Sequence, residues 1–234
     1  MYKASEKKFY PVIHCVDPYT EGGIGHALVN ASTAKANGAD GVFLIGHNHL
    51  SFTDLSYIYE HTRKHFPDLW IGINFLDISV NDPLLVQAVN RCAGLNALWT
   101  DGLPNVKLKL PESIQIFGGV AFKYMNPNPT DDDLTLSCRR ASKFVDVATT
   151  SGDRTGFPPE ITKLEKIRGR LDDNTKLAIA SGITEGNVTS FFPTTDIFLV
   201  ASSISKADKD RGGHDYLIPE KVNSLAKMIH RNIF

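Results

Sequence analysis

The segment Lys176-Leu177-Ala178-Ile179-Ala180-Ser181-Gly182-Ile183-Thr184 passes from a short apolar stretch into a glycine turn. Eight short apolar runs of this kind are candidate β-strands, and most of them lack the alternation expected of a half-exposed strand. Nearly continuous apolar strands are typical of parallel sheets that are covered on both faces. The eight runs are Tyr10–Val16, Gly41–Ile45, Trp70–Phe75, Ala97–Thr100, Ile114–Phe122, Phe144–Thr149, Lys176–Ala180 and Asp196–Ala201.

Helix signals occupy most of the intervals between these runs. Asn81-Asp82-Pro83 places a capping residue before a proline, and Thr130 precedes three aspartates that favour a helix start over a metal site. The interval 103–113 contains two prolines and leaves little room for a helix, and the glycine-rich segment 21–26 is interpreted as a loop. In a chain of 234 residues, eight such units predict a (βα)8 TIM barrel that forms a single domain over residues 1–234.

Composition and charge exclude several classes of protein. Hydrophobic residues make up 42% of the chain and charged residues 22%, which suits a folded core rather than a disordered chain. The 25 basic and 26 acidic residues nearly cancel, so we expect no general nucleic-acid binding. The sequence shows neither a membrane-spanning stretch nor a secretory signal. We interpret Cys15, Cys92 and Cys138 as reduced core residues and expect a cytoplasmic protein.

The loops after the last two candidate strands carry a pattern that favours phosphate binding. In barrels of this kind the active site lies at the carboxyl ends of the strands, and these two loops commonly hold a phosphate group. Here they contain Gly182, Ile183, Ser202 and Ser203, whose backbone N–H groups and hydroxyls suit an anion, as does a helix N-terminus. The alternative is that Gly182 only permits the turn while Thr184 caps the next helix.

Three polar residues at the ends of the third, fourth and fifth candidate strands are candidate catalytic residues. Asp101 suits a general base and Asn74 suits a hydrogen bond to substrate. Lys123 suits the stabilisation of an anion or enolate or, if desolvated, the formation of an imine. Each has a structural alternative. Asp101 begins a turn before Gly102, Lys123 forms a salt bridge with Asp101 or Asp153, and Asn74 bonds the neighbouring backbone.

His47, Gly152 and Arg154 are candidate substrate-binding residues at two further strand ends. Arg154 suits a clamp for a second anionic group, and a solvated surface arginine is its alternative. His47 and His49 are two positions apart and, with Asp77, have the residue types of a divalent metal site. Because no further ligand stands at a fixed spacing, hydrogen-bonding histidines are favoured, and we predict no metal and no cofactor.

Several segments resemble the BtpA family, which is named for a photosystem I biogenesis factor and placed among the phosphate-binding barrels. The similarity covers residues 70 to 230 and is carried by loops and turns that follow the candidate strands. Ala201 stands where the family usually has glycine, which narrows the room beside the eighth strand. The matching segments are Ile71–Phe75, Val120–Tyr124, Thr150–Pro158, Ala180–Val188 and Ala201–Ile204.

The resemblance and the strand-end residues together predict a phosphorylated small metabolite as the ligand. As an enzyme, the protein would transfer a proton beside a carbonyl or cleave a phosphoribosyl-type substrate, which are isomerase, lyase or glycosyl-transfer reactions. The alternative is a non-catalytic assembly or regulatory factor, as the family resemblance implies for photosystem biogenesis, or a metabolite sensor. A homo-oligomer is compatible with either function.

Overall fold

Eight parallel strands close into a barrel in which each strand pairs with its neighbours in chain order. The structure is a computed structural model and describes residues 6–46, 50–154, 156–207 and 215–231. It confirms the predicted (βα)8 TIM barrel. The strands are β1 (Lys8–Cys15), β2 (Val42–Gly46), β3 (Ile71–Asn74), β4 (Ala97–Thr100), β5 (Gln115–Gly119), β6 (Val147–Thr150), β7 (Lys176–Ala180) and β8 (Ile197–Val200).

The helices of the described chain surround this barrel, but two of the eight units lack an α-helix. The first is the interval between β4 and β5, as its prolines predict. The second lies between β7 and β8, where a short 3-10 helix, Val188–Phe191, replaces the expected α-helix because the turn after β7 occupies much of this short interval. The α-helices are α1 (Gly23–Ala36), α2 (Phe52–His65), α3 (Pro83–Arg91), α4 (Asp131–Phe144), α5 (Ile161–Arg168) and α6 (Pro219–His230).

Side-chain caps begin the helices that the sequence marks. The Asp82 carboxylate accepts a hydrogen bond from the backbone N–H of Leu84 at 2.9 Å, directly before Pro83 at the start of α3. The Thr130 hydroxyl accepts from the backbone N–H of Asp133 at 3.2 Å at the start of α4. The acidic run after Thr130 is therefore a helix N-terminus, as predicted.

Large aromatic side chains fill the barrel interior. The ring of Phe43 meets those of Tyr10, Trp99 and Phe117 edge to face, with centroids 5.9, 5.6 and 5.1 Å away. Gly72 on β3 makes room for Phe43, because a Cβ at position 72 would overlap the phenyl ring. These aromatic side chains thus pack the barrel interior.

The three cysteines are buried and unpaired, which confirms their interpretation as core residues. Burial raises the pKa of Cys15 to about 12 and the pKa values of Cys92 and Cys138 to about 11. These thiols therefore remain protonated and unreactive at neutral pH. Among the described residues, no helix combines the length and the apolar character that crossing a bilayer requires.

Candidate functional site

A cavity of about 580 Å³ opens at the carboxyl ends of the strands, and we call it the mouth cavity. Its wall combines residues that are far apart in the sequence but follow neighbouring strands of the closed barrel. The candidate catalytic and phosphate-binding residues found in this wall are Asp101, Lys123, Gly182, Ile183, Ser202 and Ser203.

Asn74 holds the carboxylate of Asp101 through a hydrogen bond. Its side-chain amide donates a hydrogen bond to Asp101 at 3.1 Å, and Asn74 itself is buried at the end of β3. Burial raises the pKa of the Asp101 carboxyl, while the Asn74 hydrogen bond and the positive charge of Lys123 oppose that rise. Asp101 is therefore a stronger base than an ordinary surface aspartate.

The pKa of Lys123 is shifted in the opposite direction to that of Asp101. Burial lowers the pKa of its ammonium group, and the negative charges that Tyr124 and Asp101 can carry oppose this change. The lysine nitrogen also lies 5.8 Å from the centroid of the Phe122 ring. A carboxylate and a lysine with shifted pKa values in one cavity are typical of acid–base sites.

A strained turn presents Lys123 to the mouth cavity. Ala121 and Tyr124, on either side of Phe122 and Lys123, adopt left-handed backbone angles with φ of 47° and 65°. Non-glycine residues in this region cost about 1–3 kcal/mol each and persist only where neighbouring contacts hold them. One such contact is the Ser151 hydroxyl, which accepts a hydrogen bond from the backbone N–H of Lys123 at 2.8 Å.

Lys163, on α5, is a second contact that holds this turn. Its ammonium group donates to the carbonyl of Ala121 at 2.7 Å and to that of Ser151 at 2.8 Å. These two charged hydrogen bonds therefore connect Ala121, two residues before Lys123, to the loop after β6. We expect Lys163 to position Lys123 through this turn. It was not among the sequence candidates because it lies within a helix, away from any strand end.

We expect Lys163→Met to return Lys123 to a more solvated environment, because the turn loses two charged hydrogen bonds worth about 1.5–3 kcal/mol each. The pKa of Lys123 then rises towards its ordinary value, and less of its amine is unprotonated at pH 7.5. Pyridoxal 5′-phosphate followed by borohydride, with peptide mapping by mass spectrometry, measures this fraction. We expect several-fold less labelling of Lys123 than in the unmodified protein.

Lys166→Met is the matched control for this substitution. Lys166 lies on the same helix one turn further on, and its exposed ammonium group pairs with Asp131 at 3.3 Å. It makes none of the described contacts to the turn that presents Lys123. Equal labelling of Lys123 in both variants would contradict the positioning role of Lys163.

The turns after β7 and β8 are joined into one unit. Gly182 has a left-handed backbone with φ of 65°, and the Asn187 side chain bridges its turn. That side-chain amide donates to the carbonyl of Gly182 and accepts from the backbone N–H of Thr184, both at 2.8 Å. The Ser203 hydroxyl donates to the carbonyl of Ile183 at 2.6 Å, which fastens the second turn to the first.

Backbone N–H groups at these turns remain available for a ligand. Within the described part of the chain, the amides of Gly182, Ile183, Ser202 and Ser203 donate no hydrogen bond to another residue. Successive free amides in a turn form a concave site for an anion. The expected contribution of a helix N-terminus is absent from this region, because the segment after the turn is the short 3-10 helix, and the Thr184 side chain caps no helix.

Gly152 and Arg154 lie beside the mouth cavity rather than in its wall. Both line a second cavity of about 660 Å³ between the loop after β6 and the starts of α4 and α5. The Arg154 guanidinium stacks 3.9 Å from the centroid of the Phe157 ring, and the small size of Gly152 allows the carbonyl of Phe157 to approach. His47, the remaining substrate-binding candidate, falls outside the described residues, as does His49.

Trp99 is a cavity residue that the sequence candidates did not include. It lines the mouth cavity two positions before Asp101, on the inward face of β4. The alternation of side chains along a strand is the signal by which it can be found, since residues 99 and 101 share one face. Among the described residues, no group of three or more metal-ligating side chains comes together.

Comparisons with known proteins establish the fold alone. No family model matches the sequence, and a search of curated proteins finds no match. Among solved structures, a KGPDC from Streptococcus mutans is 12% identical, with a TM-score of 0.62 over 98% of this chain and 100% of that chain.

Two further solved structures are similar at the same level. A tryptophan synthase structure from Pyrococcus furiosus is 15% identical, with a TM-score of 0.58 over 98% of both chains. A protein from Aquifex aeolicus VF5 is 14% identical, with a TM-score of 0.61 over 97% of this chain and 93% of that chain. At these identities the similarity shows that the chain shares their barrel fold, and it assigns no ligand to this chain.

Proposed function

We propose that this protein binds a phosphorylated small metabolite in the mouth cavity, with the phosphate group at the turns of Gly182 and Ser202 and the reacting end at Asp101. The observation that carries the proposal is that both turns and the Asp101–Lys123 pair line one cavity. The similarity of the five sequence segments to the BtpA family, which we propose as its family, supports the same ligand class. The usual position of ligand sites in TIM barrels, at the carboxyl ends of the strands, supports it further.

The Asp101–Lys123 pair favours proton transfer beside a carbonyl group. Asp101 would take the proton from carbon, and Lys123 would stabilise the negative charge that develops on the carbonyl oxygen. Asn74 would keep the carboxylate oriented through its 3.1 Å hydrogen bond. This arrangement supports an isomerase or lyase, and a cavity with two perturbed ionisable groups favours such chemistry over a purely structural assembly role.

A charge substitution at the second turn tests the phosphate site. We expect Ser202→Glu to weaken the binding of inorganic phosphate and glycerol 3-phosphate at least about tenfold, because a carboxylate would occupy the space of the anion. Ser202 is exposed, so the barrel should remain as stable as before. Isothermal titration calorimetry and the ligand-dependent rise of the melting temperature measure the effect.

Ser190→Glu provides the matched control. Ser190 is exposed on the short 3-10 helix, outside the wall of the mouth cavity, and its substitution adds the same charge. We expect this variant to bind phosphate like the unmodified protein. The absence of any stabilisation of the unmodified protein by inorganic phosphate and by a panel of sugar phosphates would overturn the proposed function.

A further inference from the structure

The inner wall of the mouth cavity differs in chemistry from its rim. The rim carries Asp101, Lys123 and the hydroxyls of the two turns. The inner wall is apolar, and none of its hydrophobic side chains is more than 6% exposed. These wall residues are Val12, Ile45, Trp99, Phe122, Ala180 and Leu199, and they belong to one hydrophobic cluster inside the barrel.

This wall is poorly suited to a polyhydroxylated chain. A hydroxyl that is buried against apolar side chains without a hydrogen-bond partner loses roughly tenfold in affinity. His14, half-buried at the end of β1, is a polar neighbour of the wall but serves only one part of the cavity. An apolar group gains affinity from the same surface, and Leu76 and Tyr124, which are 40% and 72% exposed, extend it to the mouth.

Trp99 contributes a hydrogen-bond donor, its indole N–H, to this apolar wall. Its indole nitrogen is buried and has no hydrogen-bond partner in the described part of the protein. The whole residue is 6% exposed. Indole N–H is a donor only, so it can be satisfied by an acceptor alone. The ring itself is held edge to face against Phe122, with centroids 6.1 Å apart. Trp99 lines the mouth cavity, so a ligand bound in that cavity can supply the acceptor.

We infer that the ligand is a phosphate ester of a flat, largely apolar ring that carries a hydrogen-bond acceptor, such as a ring nitrogen or carbonyl, for the N–H of Trp99. This inference rests on the proposed function, since the phosphate group occupies the turns of Gly182 and Ser202. The ring lies against Phe122 and Trp99 within the apolar wall. Asp101 lines the same cavity.

Four small phosphates test the ring and its acceptor separately. We expect benzyl phosphate to bind at least about tenfold more tightly than glycerol 3-phosphate, because it buries an apolar ring and leaves no hydroxyl without a hydrogen-bond partner. Either 3- or 4-pyridylmethyl phosphate, which differs from benzyl phosphate only by a ring nitrogen, should bind several-fold more tightly still. Inorganic phosphate reports the anion site alone. Calorimetric dissociation constants measure all of these affinities.

Trp99→Phe keeps an aromatic ring and removes the donor, so the advantage of the pyridyl ligand over benzyl phosphate should disappear. Trp70→Phe is the matched control, because Trp70 is the other of the two tryptophans and stacks on Tyr10 at 4.2 Å, outside the mouth cavity. In the unmodified protein, proton–nitrogen NMR should show a downfield shift of the Trp99 indole signal with the pyridyl ligand and an unmoved Trp70 signal.

The outcomes separate this inference from the proposed function. If none of the phosphates binds, the proposed function fails. If inorganic phosphate binds but benzyl phosphate is no better than glycerol 3-phosphate, only the ring ligand is overturned. A pyridyl advantage that persists in Trp99→Phe, or an unmoved Trp99 indole signal, would overturn the role of Trp99, and the NMR result does not depend on any variant folding.

Discussion

Gly182→Ala is expected to destabilise the protein by about 4 kcal/mol and to abolish phosphate binding. Two effects add at this position. The residue has a left-handed backbone with φ of 65°, which costs an alanine about 1–3 kcal/mol. Its new Cβ would also overlap the backbone of Phe157 and Pro158, so the loop after β6 must move away. Because whole proteins are stable by only about 5–15 kcal/mol, such a loss is large.

Gly22→Ala separates the two effects. Gly22 has a similar left-handed backbone, with φ of 77°, but a Cβ there would find no atom within 4 Å. We expect this variant to lose only the backbone contribution of about 1–3 kcal/mol and to bind phosphate normally, since Gly22 precedes α1 and is not part of the mouth cavity wall. Urea unfolding and calorimetry measure both quantities. Equal destabilisation by the two substitutions would show that Gly182 is not closely packed.

Apolar runs predict the strand bounds well where a polar turn directly follows the last residue of the strand. The bounds of β4 and β7 match their runs, since Thr100 and Ala180 are followed by polar turns. The run 114–122 extends past β5 because Val120, Ala121 and Phe122 are apolar for another reason. They pack in the core while the backbone has already left the sheet for the strained turn.

The start of α1 shows a second limit of the sequence. The glycine-rich composition of segment 21–26 predicts a loop, but α1 begins at Gly23, so this prediction is wrong from Gly23 onwards. A Cβ at Gly23 would overlap the carbonyl of Asp17, which explains the glycine by packing rather than by flexibility. Such a tertiary contact leaves no local signal in the sequence.

The candidate site could be located from strand ends but not assembled from them. Parallel strands in a closed barrel bring their carboxyl ends to one rim, and this geometry alone accounts for Asp101, Lys123 and the two turns in one cavity. Loops are not bound by that geometry. The loop after β6 packs over Gly182 and directs Arg154 to the neighbouring cavity. Lys163, which donates a hydrogen bond to the carbonyl of Ala121, lies on a helix and not at a strand end.

Asp101→Asn is expected to separate stability from activity. Under the proposed function, the loss of the general base should reduce turnover by about 10²- to 10⁴-fold once a substrate is found. The same change should not destabilise the protein at neutral pH and should make it more stable. Burial raises the pKa of Asp101 in the folded state, so the folded protein favours the neutral carboxyl, which asparagine resembles.

The pH dependence of this difference follows from the sign of the shift. Below the unfolded pKa of about 3.9, Asp101 is protonated in both states and the two proteins should be similarly stable. As the pH rises through the higher folded pKa, the unmodified protein loses stability relative to Asp101→Asn, because ionisation is less favourable in the folded cavity. Melting temperatures of both proteins from pH 3.5 to 8 measure the difference.

Asn74→Ala tests the same reasoning from the other side. The Asn74 hydrogen bond lowers the pKa of Asp101, so its removal should raise that pKa further and extend the loss of stability to higher pH. In the Asp101→Asn background the substitution should have no such pH-dependent effect. An Asp101 that served only as a structural partner of Asn74 and Lys123 would instead make Asp101→Asn less stable at neutral pH, and that result would remove Asp101 from the proposed chemistry.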